Sequence, residues 1–155
     1  MSWQGAWEEE RGFTLVEVLV VIIIMGLVFT IASSTWFGVV EGRRVDSATN
    51  QLASDLRLAH TKATNRLVQQ TVTLPGGSSE YTVTGAGNRD LDDDPDEDLV
   101  EVTAPFTVVF EANGEAQITV GDNPIEVRST DDVNKKHTID LNRVTSRIQI
   151  DPPTL

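Results

Sequence analysis

Glu17 is the only charged side chain between residues 12 and 28, which read GFTLVEVLVVIIIMGLV. A carboxylate inside an apolar run of this kind is expensive to bury in lipid and marks a functional position when a cation partners it. The simpler reading is a carboxylate at the membrane interface that only marks where the span begins. A second group with chemical potential is the acidic run NRDLDDDPDEDLVE over residues 88 to 101. Asp90, Asp92, Asp94, Asp96 and Asp98 alternate, and Glu101 is the twelfth residue counted from Asp90. Oxygen ligands at alternate positions can converge on one calcium ion, with Asp90, Asp92 and Asp94 as the first ligands. Pro95 stands at the sixth position, where such a loop needs glycine for its turn, and apolar flanking helices are missing. The run therefore reads as a solvated acidic loop, with no cofactor expected and calcium as the alternative.

Other arrangements that could do chemistry are absent from the sequence. There is no cysteine, no Gly-x-Ser-x-Gly elbow, no phosphate-binding glycine loop and no His-Glu-x-x-His pair. His60 falls in a helical stretch and His137 opens a strand-like run, neither with a partner at a catalytic spacing. The chain does not read as an enzyme.

The elements that must hold these residues begin with a long apolar helix. Val18 to Val40 is 23 residues without a formal charge. As a helix this covers roughly 35 Å, enough for a bilayer core of about 30 Å. Trp36 and Phe37 lie where such a helix would emerge. A secretory signal peptide is the alternative, but it needs a basic start and a shorter core, whereas the start MSWQGAWEEER is acidic. Beyond Val40 the sequence turns amphipathic. Val45, Ala48, Leu52, Leu56, Ala59, Ala63 and Leu67 recur at steps of three and four, one apolar stripe at the helical period. No proline interrupts residues 13 to 68, so one continuous helix is allowed. Two helices with a bend near Gly38 or Gly42 are the alternative.

After Leu67 the period changes to that of strands. Short β-prone runs cover Thr71–Leu74, Glu80–Thr84, Ile125–Ser129, His137–Leu141 and Arg147–Ile150. FTVVFEANGEAQITV, residues 106 to 120, predicts a hairpin turning at Asn113-Gly114 with positive φ angles. The expected fold class is α+β. A long N-terminal α-helix, membrane-spanning in its first half and amphipathic in its second, packs on a C-terminal antiparallel β-sheet or small sandwich.

Charge restricts the partners. The chain of 155 residues carries a net charge of −12. Residues 41 to 74 hold five basic and three acidic side chains, whereas residues 75 to 155 hold six basic and seventeen acidic. A domain this acidic repels phosphate backbones, which argues against nucleic acid as a partner. Arg143 and Arg147, four apart, form a small basic spot within it.

Gly12-Phe13-Thr14-Leu15-Val16-Glu17, followed by the apolar run, resembles the processing site of type IV pilins and type II secretion pseudopilins. Glycine, then phenylalanine, then glutamate as the fifth mature residue is the specific part of that match. The resemblance implies that a prepilin peptidase cleaves between Gly12 and Phe13, and that Phe13 is then N-methylated. It also implies that Glu17 serves subunit assembly by pairing with the Phe13 amine of a neighbour. At about 4 Å and an effective dielectric near 20, such an attraction is on the order of 4 kcal/mol before desolvation. Desolvation offsets much of it, so the pair mainly sets register.

The implied organisation is a leader over residues 1–12, a transmembrane and filament-core helix over 13–40, an amphipathic helix over 41–67 and a β-rich domain over 68–155. The chain lacks the mid-helix proline and C-terminal disulfide of major pilins. FTVVFEANGEAQ, IEVRST and HTIDLNRVTSRIQI instead resemble the minor subunits of the GspH/FimT group. The leader departs from the family in being acidic, with Arg11 as its one basic residue. What the resemblance implies is a minor pseudopilin, single-pass in a bacterial inner membrane with a periplasmic domain. Its implied partners are other major and minor pseudopilins, the prepilin peptidase, the inner-membrane assembly platform and secreted substrate. A minor type IV pilin, or an unrelated membrane-anchored binding domain, are the competing readings.

Overall fold

The computed structural model describes residues 13–92 and 98–151. Among them are one helix, α1 (Leu15–Arg66), and nine strands. The strands are β1 (Gln70–Leu74), β2 (Glu80–Val83), β3 (Gly87–Asp90), β4 (Val100–Val102), β5 (Phe106–Phe110), β6 (Ala116–Val120), β7 (Ile125–Ser129), β8 (Lys136–Leu141) and β9 (Ile148–Asp151). The chain divides into two compact units, Met1–Gly38 and Val39–Leu155. α1 contributes to both and keeps helical backbone through Gly38 and Gly42.

In the first unit the helix is apolar and bare. Leu15–Ser33 is 19 residues long with a mean hydropathy of 2.9, long and apolar enough to cross a membrane, and none of it is buried. Two of its hydroxyls turn inward onto the helix itself. The Thr30 hydroxyl donates to the Gly26 carbonyl at 2.8 Å and the Ser33 hydroxyl to the Thr30 carbonyl at 3.1 Å. Such bonds let hydroxyls sit in an apolar setting without an unmet donor.

The second unit owes its core to the stripe read from the sequence. Val45, Ala48, Leu52, Leu56, Ala59 and Ala63 are completely buried, and Thr49 and Ala53 widen the stripe. Leu67, expected on that stripe, is not. It follows the last helical residue with φ 53° and is 73% exposed. The Val68 N–H donates to the Ala63 carbonyl at 3.3 Å, a helix-ending bond that requires a left-handed residue at position 67. Glycine is the usual occupant, so leucine there is strained.

Two antiparallel sheets receive the stripe. One has the order β3-β2-β1-β5-β6 and the other β4-β7-β8-β9. They meet at a bridge between Ser78 and Val102, where the Gly77 N–H donates to the Val102 carbonyl at 2.8 Å. Burial alternates strictly along β5 and β7, so one face of each strand supplies the core. Val72, Leu74, Tyr81, Phe106, Val108 and Phe110 come from the first sheet, and Val100, Val127, Ile139 and Leu141 from the second. Both sheets also bond to the helix. Gln51 Nε2 donates to the Asp90 carbonyl at 2.6 Å, and an Arg57 guanidinium nitrogen to the Ile148 carbonyl at 3.1 Å.

Two strands escape the pattern-based reading. β3 is Gly-Asn-Arg-Asp, with no apolar residue, and owes its existence to four paired positions on β2. β4 is three residues long and takes Val100 and Glu101 from the end of the acidic run. The hairpin of residues 106 to 120 also differs from expectation. Only Gly114 has a positive φ, 87°, and Asn113 does not. The Glu111 N–H donates to the Glu115 carbonyl and the Gly114 N–H to the Glu111 carbonyl, both at 2.9 Å. This is a three-residue loop closed by a left-handed glycine, the next most common hairpin after the two-residue turn. Asn113 instead uses its side-chain oxygen to accept from the Glu115 N–H at 2.9 Å.

Candidate functional site

The residues singled out first lie at the start of α1. Thr14 precedes the helix, and its carbonyl accepts the Val18 N–H at 3.2 Å. Its hydroxyl also accepts the Glu17 N–H at 3.2 Å. Thr14 is thus the N-cap, and Glu17 sits three residues on, in the first turn. Threonine followed by glutamate at this spacing, ahead of an apolar run, is the sequence signature of a capping box, and it was there to be read. A carboxylate in the first turn also faces the positive end of the helix dipole.

Phe13 lies just outside the helix and is 82% exposed. Glu17 is exposed as well, and among the described residues it forms no ion pair. Gly12 lies outside the described residues. Around Glu17 the surface is hydrocarbon, with Leu15, Val18, Leu19, Ile22 and Ile23 lining a shallow groove along the helix. Chemically, this arrangement offers one carboxylate at the head of an apolar rod. It can hold a cation supplied from outside and otherwise buries apolar surface.

The acidic run is distributed differently. Asp92 Oδ2 accepts the backbone N–H groups of Leu99 at 2.6 Å and Val100 at 3.2 Å, stitching the loop to the start of β4. Asp90 Oδ1 accepts the Asp92 N–H at 2.9 Å, and Asp98 Oδ1 accepts the Ser79 hydroxyl at 2.9 Å. Glu101 Oε1 is gripped by the Arg128 guanidinium at 2.6 and 2.7 Å. Asp94, Pro95 and Asp96 lie outside the described residues. Among those described, no three His, Cys, Asp or Glu side chains gather as a metal site.

Other titratable groups join helix to sheet or strand to strand. Tyr81 donates to Asp55 Oδ2 at 2.5 Å, and Arg89 lies 3.7 Å from the same oxygen. Burial, and then the hydrogen bond to Asp55, push the Tyr81 phenol well above its ordinary range. Lys136 donates to Glu126 at 2.9 Å and holds that carboxyl below its usual range, against a smaller opposing effect of burial. His60 Nε2 lies 3.1 Å from the Gly114 carbonyl, and its ring meets Phe110 edge-on. His137 Nε2 is 2.6 Å from Asp46 Oδ1, while its buried Nδ1 has no partner among the described residues. Each histidine ties the helix to a sheet.

Two family patterns match the chain. The prokaryotic N-terminal methylation motif matches residues 9–33, covering the cap, Glu17 and the apolar helix. The pattern described as type II transport protein GspH matches residues 48–145, from the buried helical stripe to the β8–β9 loop. No curated protein and no solved structure gives a significant match. The second pattern spans well over half of the chain, and the first supplies the pilin-like amino terminus in front of it. This chain belongs to the GspH family of pseudopilins, type II transport proteins with a prokaryotic N-terminal methylation motif.

Proposed function

We propose that the chain is a minor pseudopilin of a type II secretion system, a structural subunit that assembles with other pseudopilins to promote protein export. The observation that carries this reading is the succession of a methylation motif over residues 9–33 and a GspH domain over residues 48–145 in one chain. In this reading, hydrolysis of the Gly12–Phe13 peptide bond by prepilin peptidase consumes one water. It leaves a carboxylate on Gly12 and an ammonium on Phe13. Methylation of that amine keeps its positive charge. The ammonium of one subunit then faces Glu17 of its neighbour, so two costly charges become a pair in a low-dielectric bundle. Leu15–Ser33 anchors the precursor once in the inner membrane, and the Val39–Leu155 unit occupies the periplasm. The inner-membrane assembly platform extracts the subunit, and secreted substrate meets the assembled filament.

No cofactor enters this reading. Asp92 and Glu101 already satisfy backbone amides and Arg128, which supports a structural role for the acidic run. The family's members are structural subunits, in keeping with the absence of a catalytic spacing in the sequence.

Mass spectrometry of chain produced with prepilin peptidase tests the proposal. Phe13 should be the first residue, one methyl heavier than unmodified. Gly12→Val should block cleavage and accumulate the precursor. Glu17→Gln should be cleaved normally, yet crosslink poorly to partner pseudopilins near the helix start. A mature protein beginning at another residue would falsify the pseudopilin reading, and unimpaired assembly of the glutamine variant would reduce Glu17 to an interface marker.

A further inference from the structure

We infer that the Asn142–Arg147 loop is a preformed docking knob for an acidic protein surface, presented by another pilin-type subunit. The loop joins β8 to β9 and is fixed from within. The Asn142 N–H donates to the Arg147 carbonyl at 2.9 Å, and Asn142 Oδ1 accepts the N–H groups of Val144 at 3.0 Å and Thr145 at 2.9 Å. Its base is anchored below. Ser146 is 5% exposed, and its hydroxyl donates to the Gly114 carbonyl at 2.6 Å. Ser146 also holds φ 51°, a left-handed conformation that a residue with a Cβ adopts only when its surroundings enforce it. A strained residue kept in place to shape a surface loop points to use of that surface.

What the loop displays is unlike the rest of the domain. Val144 is 90% exposed at the tip, and Arg143, Thr145 and Arg147 are exposed around it. Residues 75 to 155 contain only six basic side chains against seventeen acidic ones. Arg89, Arg128 and Lys136 pair with Asp55, Glu101 and Glu126. Among the described residues, Lys135, Arg143 and Arg147 have no ion pair, and the two arginines share one loop, so two guanidiniums without an ion pair flank one bare apolar side chain. An arginine fork matches a carboxylate through two hydrogen bonds, and arginine is enriched at the centres of protein contacts. A phosphate backbone fits less well. The surrounding negative charge repels a long polyanion, and Val144 has nothing to bury against on one. Ser146 fixes the loop before contact, which lowers the ordering cost of binding.

The partner class rests on the pseudopilin reading, so the test separates the two. Full-length chain is co-produced with prepilin peptidase, extracted in detergent and titrated with each purified pilin-type subunit encoded beside it. A mixed-sequence DNA duplex is titrated in parallel. One sibling subunit should bind, more weakly as salt rises. R143E combined with R147E should weaken that binding about tenfold, and Val144→Asp severalfold, with thermal unfolding unchanged. Lys135→Glu, an exposed charge reversal outside the loop, should leave it intact. Ser146→Gly keeps both arginines but loosens the loop, and it should weaken binding by a smaller factor. Absence of binding by every sibling, or equal binding by the parent and the double reversal, overturns the inference. DNA binding that the double reversal abolishes overturns it too, and assigns the loop to nucleic acid. Mass spectrometry of the same samples reports the amino terminus. Cleavage before Phe13 with unchanged sibling affinity removes the docking inference alone, whereas a chain not cleaved there removes the pseudopilin reading.

Discussion

The two halves of α1 obey the same backbone rules and meet opposite fates. Leu15 to Ile31 is hydrophobic all round, and every large apolar side chain in it is exposed, from 46% at Val20 to 82% at Leu15. From Val45 to Ala63 the apolar residues gather on one stripe, with Leu58 alone left exposed, and that stripe is wholly buried. A helix that is apolar on every side has no face to give to water, so its solvent must be lipid or other helices. An amphipathic helix closes a core and leaves its other face wet. One half therefore finds its partner within the chain, and the other half looks for it outside.

Removing each half in turn gives the largest contrast. A chain beginning at Arg43 keeps the buried stripe and should be a soluble, folded monomer. A chain beginning at Val68 loses the stripe, uncovers the apolar faces of both sheets and should aggregate. Equal stability of the two in denaturant unfolding would remove helix-on-sheet packing as the basis of the fold.

Single substitutions sharpen the same comparison. Leu56→Ala empties a completely buried site and should cost about 2–5 kcal/mol, read as a lower midpoint in denaturant. Ile23→Ala in the exposed half should leave the stability of the Val39–Leu155 unit within about 0.5 kcal/mol of the parent. A comparable loss from Ile23→Ala would mean that the two units share one core.

The smallest effect has the opposite sign. Leu67→Gly replaces a strained left-handed leucine, 73% exposed, with the residue that helix ends prefer. It should raise the melting temperature by a few degrees, on the order of 1 kcal/mol, because the relieved strain exceeds the added chain entropy. A fall in melting temperature would show that the side chain of Leu67 contributes more than its exposure suggests.

Periodicity made most of this fold legible. Steps of three and four located the stripe from Val45 to Ala63, and two-residue alternation located β5, β6 and β7. β3 was invisible because its residues carry no burial pattern; pairing with β2 makes it a strand. Leu67 misled because its spacing fits the helix, while the helix ends one residue earlier. The Asn-Gly pair signalled a hairpin correctly, but a three-residue loop needs a left-handed conformation only at Gly114. At the amino terminus, Glu17 and its apolar setting were plain, whereas the capping role of Thr14 went unread although its spacing to Glu17 announced it.

By itself the sequence determined where apolar surface lies, which half of α1 needs an outside partner, and that the folded domain is acidic. These are properties of local composition and period, and each is set by neighbours within a few turns or strands. Tertiary structure alone decided how distant polar groups pair. Asp55 meets Tyr81 and Arg89, Asp92 closes the acidic run onto β4, and Ser146 reaches the Gly114 carbonyl 32 residues away. No period in a chain encodes such contacts, because they depend on which strands share a sheet. That same reach across the sheets holds the Asn142–Arg147 loop in shape and leaves Arg143 and Arg147 without an ion pair among the described residues.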